Sequence, residues 1–308
     1  MIPSAVEEVV RAGALPAPAA GRRAWERFLG HRAALVAAGV LALLAALAAL
    51  APWISPYAPA AIDLHRIAMP PDLAHPLGTD ELGRDVLTRT IWGGRVSLAV
   101  GVAAALVSAA VGIPYGAIAG FRGGALDMVM MRAVDFLLAF PAVFVLLILA
   151  SFSRGSVLQV ALYLGLFGWM GIARLVRGQV LSLREREFVV AARSLGLSDA
   201  RLLVRHLVPN ALAPVIVAVT LGVGGAMLVE AALDFLGFGV PPDSPSWGNL
   251  LTNAEAYLTT APLLAIAPGL CITTAVVCVN FVGDGLRDAL DPQGWTASEA
   301  QPRRRGRG

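Results

Sequence analysis

The chain has 308 residues, 57% of them hydrophobic and 15% charged, with a formal net charge of +3. Soluble domains carry charge on about a quarter of their residues, so this composition excludes an ordinary water-soluble enzyme. All 24 basic residues are arginine. A GxxxxGK(S/T) phosphate loop requires lysine, and arginines that flank apolar runs do not line a nucleic-acid groove.

Residues 1–24, containing "LPAPAAGRR", have the composition of a disordered tail. Residues 25–95 hold a first span, Ala33–Trp53, and a loop. The span is too long for a signal-peptide core, and Pro52-Trp53-Ile54 is no cleavage site, so it reads as uncleaved. In the loop, "HPLGTDELGRDVLTRTIWGGR" predicts an amphipathic helix lying on the membrane surface. Thr79 is its expected N-cap, Asp80 and Glu81 fill its first turn, and Gly93-Gly94 stops it. Asp80/Arg84 and Asp85/Arg89 are i,i+4 pairs.

Five more apolar runs occupy residues 96–290: Val96–Gly120, Met128–Ala150, Val157–Leu175, Ala211–Phe235 and Pro262–Gly283. Each is long enough to cross roughly 30 Å of hydrocarbon, where only a helix satisfies its own backbone. Pro114, Pro141 and Pro268 are candidate kinks. Arg132 and Asp135, i,i+3 in the third run, suggest an ion pair. Glu230 and Asp234, i,i+4 at the end of the fifth, either line the mouth of a pathway or sit at the interface. Cys271 and Cys278 lie about 10 Å apart along one helix, too far to bridge. His31, His65, His75 and His206 form no metal-ligand pattern, and no cofactor is expected. The tail 291–308 is polar and arginine-rich.

Six spans put both tails on one side. Arg11, Arg22, Arg23, Arg27 and Arg32 in the N-terminal segment, and Arg177, Arg184, Arg186, Arg193, Arg201 and Arg205 between spans four and five, mark that side as cytoplasmic. The loop between spans one and two is expected outside, although it too carries four arginines among its acids.

Between spans four and five lies "EFVVAARSLGLSDARLLVRHLVPN", residues 187–210. Phe188, Ala191, Ala192 and Leu195 fall on one helical face. Gly196 breaks that helix, as a C′ glycine does. Ser198 and Asp199 open a second helix, with Ala200, Leu203, Val204 and Leu207 as its apolar face, and Pro209 ends it. Periodicity alone leaves two readings: a connector resting on lipid headgroups, or a low surface that another protein approaches.

This stretch resembles the EAA loop of ATP-binding cassette (ABC) importer permeases. Ala191-Ala192, Gly196 and Pro209 match at the family spacing, while Val190, His206 and Val208 replace its usual Glu, Ile and Leu. Glu187 resembles the acidic residue common in the peptide/nickel branch. "HPLGTDELGRDVLTR", "LDFLGFGVPPDSPSWGNLL" and "NFVGDGLRDALDP" resemble the DppC/OppC-like permeases of the same branch. The resemblance implies an all-α membrane protein: six transmembrane helices in the type I importer permease fold, with a cytoplasmic EAA coupling-helix loop. It implies a bacterial inner-membrane location and four kinds of neighbour: a second permease, two ATPase subunits, an extracytoplasmic binding protein and the bilayer. Cargo would be a peptide, nickel or a related small solute. Glu187, Ala191, Ala192, Gly196, Asp199, His206 and Pro209 would form the coupling segment, with Ala192 facing the ATPase groove. A stand-alone secondary transporter is the alternative, but no internal repeat supports it. An intramembrane hydrolase lacks any GxSxG or HExxH motif.

Overall fold

The computed structural model describes residues 17–152, 156–241 and 243–291, and among them it contains helices and no strand. Helix α1 (Ala17–Gly30) precedes α2 (Arg32–Ile54). Then come α3 (Val86–Arg122), α4 (Gly124–Leu138), α5 (Ala142–Ser151) and α6 (Val157–Arg184). Short α7 (Glu187–Ser194) and α8 (Asp199–Leu202) lead into α9 (Val208–Phe235) and α10 (Leu263–Leu290). The tail expected to be disordered through residue 24 is helical from Ala17 on. Residues 1–16 and 292–308 lie outside the described residues.

Among the described residues, five helical stretches are long and apolar enough to cross a membrane, and a sixth forms if α4 and α5 count as one span bent by 75°. The bend falls at Pro141, which is the N-cap of α5. A residue before proline is disfavoured in the α region, so the helix ends ahead of it. Gly123 and Gly124, both at positive φ, reverse the chain between α3 and α4.

Helices α3 and α6 run against each other along a seam of small residues. A Cβ on Gly112 would come within 2.7 Å of the Trp169 carbonyl, and one on Gly120 within 2.8 Å of the Arg177 carbonyl. At Gly116 it would collide with the Ala173 backbone. Between helices in lipid there is no hydrophobic drive, so such close van der Waals approach is what holds them. Ser108 Oγ lies 2.9 Å from the Ala104 carbonyl and 3.0 Å from Gly165 O across the seam.

The end of the bundle opposite residues 187–210, called here the far end, differs from expectation. Helix α3 begins at Val86, capped by Asp85, whose carboxylate accepts from the Thr88 N–H at 2.7 Å. It runs unbroken through Gly93-Gly94, because these glycines make room for the Trp247 indole; Cβ atoms there would sit 3.0 Å from the ring. Thr79 is not an N-cap: it pairs in a single antiparallel bridge with Asp85. Asp80 organises a compact buried turn, accepting from the Leu82 and Arg84 N–H groups at 2.9 Å and from Arg84 Nε at 2.7 Å. The Asp80/Arg84 pair therefore forms as expected. Asp85/Arg89 does not, since Asp85 is engaged by Thr88 and by His75 Nδ1 at 2.9 Å, and Arg89 lies 3.5 Å from Asp80 instead.

Candidate functional site

The stretch 187–210 folds as two short helices around a tight turn. Glu187 lies in the first turn of α7 and Arg193 in its last, each complementing the helix dipole. Gly196 follows the C-cap Leu195 at φ +81°, and the Leu197 N–H donates to the Ala192 carbonyl at 3.2 Å. This is a Schellman-type closure, which a left-handed glycine permits. Nothing lies within 4 Å of where a Gly196 Cβ would stand, so only backbone conformation demands glycine here. Ser198 is the N-cap of α8 by position, without a side-chain cap bond.

Pro209 does not end the second helix. One π turn, Leu203–Leu207, joins α8 to α9, and the Val208 N–H reaches back five residues to Leu203 O. Pro209, at the start of α9, lacks an N–H, and its ring crowds the carbonyl four residues earlier. The widened turn accommodates it, so the segment continues as a stiff helix into the span. Asn210 Nδ2 donates to the His206 carbonyl at 2.6 Å, bracing the same turn.

Burial separates anchor from open surface. Val189, Leu202 and Leu207 are fully buried in one cluster with Phe121 of α3, Val176 and Val180 of α6, and Ala211 and Val215 of α9. The three anchors bind the short helices to three spans at once. Phe188, Val190, Leu195 and Val204 are exposed, Leu195 at 70%. The expected faces are therefore partly corrected. Phe188, Ala191 and Leu195 do share an exposed surface, but Ala192 is half-buried and packs on the anchor cluster. In the second helix Ala200 and Val204 point outward, and Leu202 takes the buried place. A heptad-like count misses this because the π turn shifts the register. Glu187 and Asp199 are exposed, and His206 is half-buried. Arg193 stacks over Phe121 at 5.5 Å, covering one apolar ring with a cation.

Glu230 and Asp234 are not at an open mouth. They are 0% and 2% exposed, enclosed by the chain itself. Ser97 Oγ reaches both Glu230 oxygens at 3.3 and 3.2 Å and accepts from the Trp247 N–H at 3.1 Å. Asp234 accepts from the Val240 N–H at 2.6 Å and from the Ser246 hydroxyl. The pair fastens the loop after α9 over the ends of α3 and α9. The expected Arg132–Asp135 pair is also replaced: Asp135 pairs with Arg174 at 2.5 Å, and Asp127 with Arg177 at 2.5 and 2.7 Å.

Residues 112–293 match the family of binding-protein-dependent transport system inner membrane components, and residues 20–71 match the N-terminal transmembrane domain of oligopeptide transport permease C. The first match spans more than half of the chain. The chain belongs to the binding-protein-dependent transport permease family. Its relatives include the oligopeptide transport system permease protein OppC of Escherichia coli, 42% identical over 89% of this chain and 92% of the relative. The OppC proteins of Haemophilus influenzae and Bacillus subtilis are each 39% identical, over 89% and 87% of this chain and 90% and 88% of theirs. Residues 187–210 lie within the matched range, buried on one side against three spans and exposed on the other. The family's EAA-like signature was legible in the sequence. The far-end fastening by Ser97, Glu230, Ser246 and Trp247 was not, because its members are separated by up to 150 residues.

Proposed function

We propose that this chain is the permease subunit of an ABC importer for di- or oligopeptides. It forms the translocation path with a second, related permease, receives cargo from an extracytoplasmic binding protein and is driven by two separate ATPase subunits. It crosses the bacterial inner membrane several times, with both termini and residues 187–210 in the cytoplasm. The arginine distribution supports that orientation. The names of its relatives support peptide cargo.

One observation carries the coupling role. Val189, Leu202 and Leu207 key the 187–210 segment into α3, α6 and α9, while Phe188, Val190, Leu195 and Val204 are apolar side chains left uncovered by the described residues. An exposed apolar group of this kind marks a contact site. When ATP draws the two ATPases together, a segment so keyed moves as one body with three spans, converting closure into alternating access. The chain performs no covalent chemistry; ATP hydrolysis belongs to the separate subunits.

The test is to purify the chain with and without its two ATPases and the second permease. ATP-dependent uptake of a labelled tripeptide by the full complex, and none by this chain alone, is the expected result. Uptake by the chain alone under a proton gradient overturns the proposal in favour of a secondary transporter.

A further inference from the structure

A cavity of about 420 Å³ opens between α4 and α6, on the side of the bundle nearer residues 187–210. Asp127, Met128, Met131, Arg132, Asp135 and Arg177 line it. Its charges do not suit hydrocarbon. Arg174 and Asp135 are each 49% exposed while paired, and Arg132 is exposed with no partner among the described residues. Charged side chains in spans face water or protein, because contact with lipid costs several kcal/mol.

Helix α4 separates two stripes. Val129, Ala133 and Phe136 follow one another at helical spacing as an exposed apolar stripe, suited to lipid or to another span. Met128, Arg132 and Asp135 form the neighbouring stripe, turned to the cavity. A helix with this division has one side for an apolar neighbour and one for water. The cavity side is also braced: Asp127–Arg177 and Asp135–Arg174 tie α4 to α6 across it. The bracing keeps the charges in place and leaves Arg132 without a partner among the described residues.

We propose that this cavity is a water-filled stretch of the translocation route, where Arg132 contacts the carboxylates of passing peptides and the Asp135 carboxylate their ammonium groups. This rests on the permease reading above. Both signs of charge stand within one cavity, which fits a zwitterionic cargo better than a purely anionic or cationic one. Met128 and Met131 supply a pliable apolar wall that accommodates varied side chains. Weak contacts of this kind let cargo leave again, as conduction requires.

The test uses the complete importer in inside-out vesicles, with Cys271→Ala and Cys278→Ala. Met131→Cys is expected to react with a charged, membrane-impermeant methanethiosulfonate. Reaction only with a lipid-soluble maleimide overturns the aqueous assignment. Uptake of Ala-Glu-Ala by intact cells carrying the importer is then compared with that of Ala-Lys-Ala. Arg132→Glu is expected to shift the ratio toward Ala-Lys-Ala by about threefold, the size of one exposed charge contact. If Arg132→Glu stops uptake of both, Arg132→Gln is scored in its place, with a smaller shift in the same direction. An unchanged ratio with ATP-driven uptake intact overturns the cargo contact alone and leaves Arg132 as a lipid-headgroup or partner contact. Absence of ATP-driven uptake of either tripeptide by the unsubstituted complex overturns the permease reading, and this site with it.

Discussion

Ser97 on α3 and Glu230 on α9 meet in the far-end core, the hydroxyl lying 3.3 and 3.2 Å from the two carboxylate oxygens. The same hydroxyl oxygen accepts from the Trp247 backbone, so one small side chain serves two helices and a loop. Its removal leaves a buried carboxyl and a buried N–H without that partner. Ser97→Ala is expected to cost about 1–3 kcal/mol. A lower thermal midpoint for the detergent-purified protein, with earlier proteolysis in the 236–261 loop, checks this.

The α3–α6 seam predicts a contrast between two glycines. Gly116→Ala places a methyl into the Ala173 backbone, where neither helix can yield without moving. Gly171→Ala, on α6, meets nothing within 4 Å. The first substitution is expected to lose roughly 1–3 kcal/mol by overpacking, and the second to be neutral or slightly stabilising. Equal membrane abundance and equal thermal midpoints for the two would contradict the seam.

At the coupling turn, the φ of +81° at Gly196 is the sole demand. Asn visits this region readily, whereas Val resists it at about 1–2 kcal/mol or more. Gly196→Asn is expected to keep uptake near normal. Gly196→Val is expected to leave membrane abundance unchanged while ATPase recovery and uptake fall together. Full uptake by Gly196→Val would return the segment to a passive connector.

The exposed surface makes a separate prediction. Leu195 is 70% exposed and contributes little to the fold of this chain. Leu195→Glu is therefore expected to spare stability and weaken capture of the ATPases, because a buried unpaired charge at an interface is costly. Ala192→Trp is expected to act differently: Ala192 packs on the anchor cluster, so the bulky ring damages this chain first. Pull-down of ATPase subunits, set beside the thermal midpoint of each variant, separates the two effects.

Orientation is checked by labelling in intact cells, again with Cys271→Ala and Cys278→Ala. Asp243→Cys, in the loop after α9, is expected to react with an impermeant maleimide, and Ser198→Cys to react only after the cells are opened. The reverse pattern would place the coupling segment outside and remove its role.

Membrane class, helical spans and the two-helix form of residues 187–210 were legible because each is a local property. A run of about twenty apolar residues must be helical in lipid whatever surrounds it. Gly196 could be read as a left-handed stop because a glycine after a helical face has few other uses. The glycine pair at the far end was misread for a complementary reason. Gly93-Gly94 looks like a helix stop in isolation, yet it makes room for Trp247, which lies over 150 residues away.

The charged residues divide along the same line. Sequence spacing offered Arg132 to Asp135 and Asp85 to Arg89, the nearest partners along one helix. Tertiary structure gave Asp135 to Arg174, Asp127 to Arg177, and Asp85 to His75 and the Thr88 amide. It also placed Glu230 and Asp234, which the sequence left between a pathway mouth and the interface, in a buried fastening. A side chain pairs with whatever group the packed helices bring within about 3 Å. The sequence by itself determined that this chain crosses a membrane and where it turns polar between two spans. Which charges hold the fold, and which stands without a partner among the described residues in the α4–α6 cavity, was decided only when distant helices came into contact.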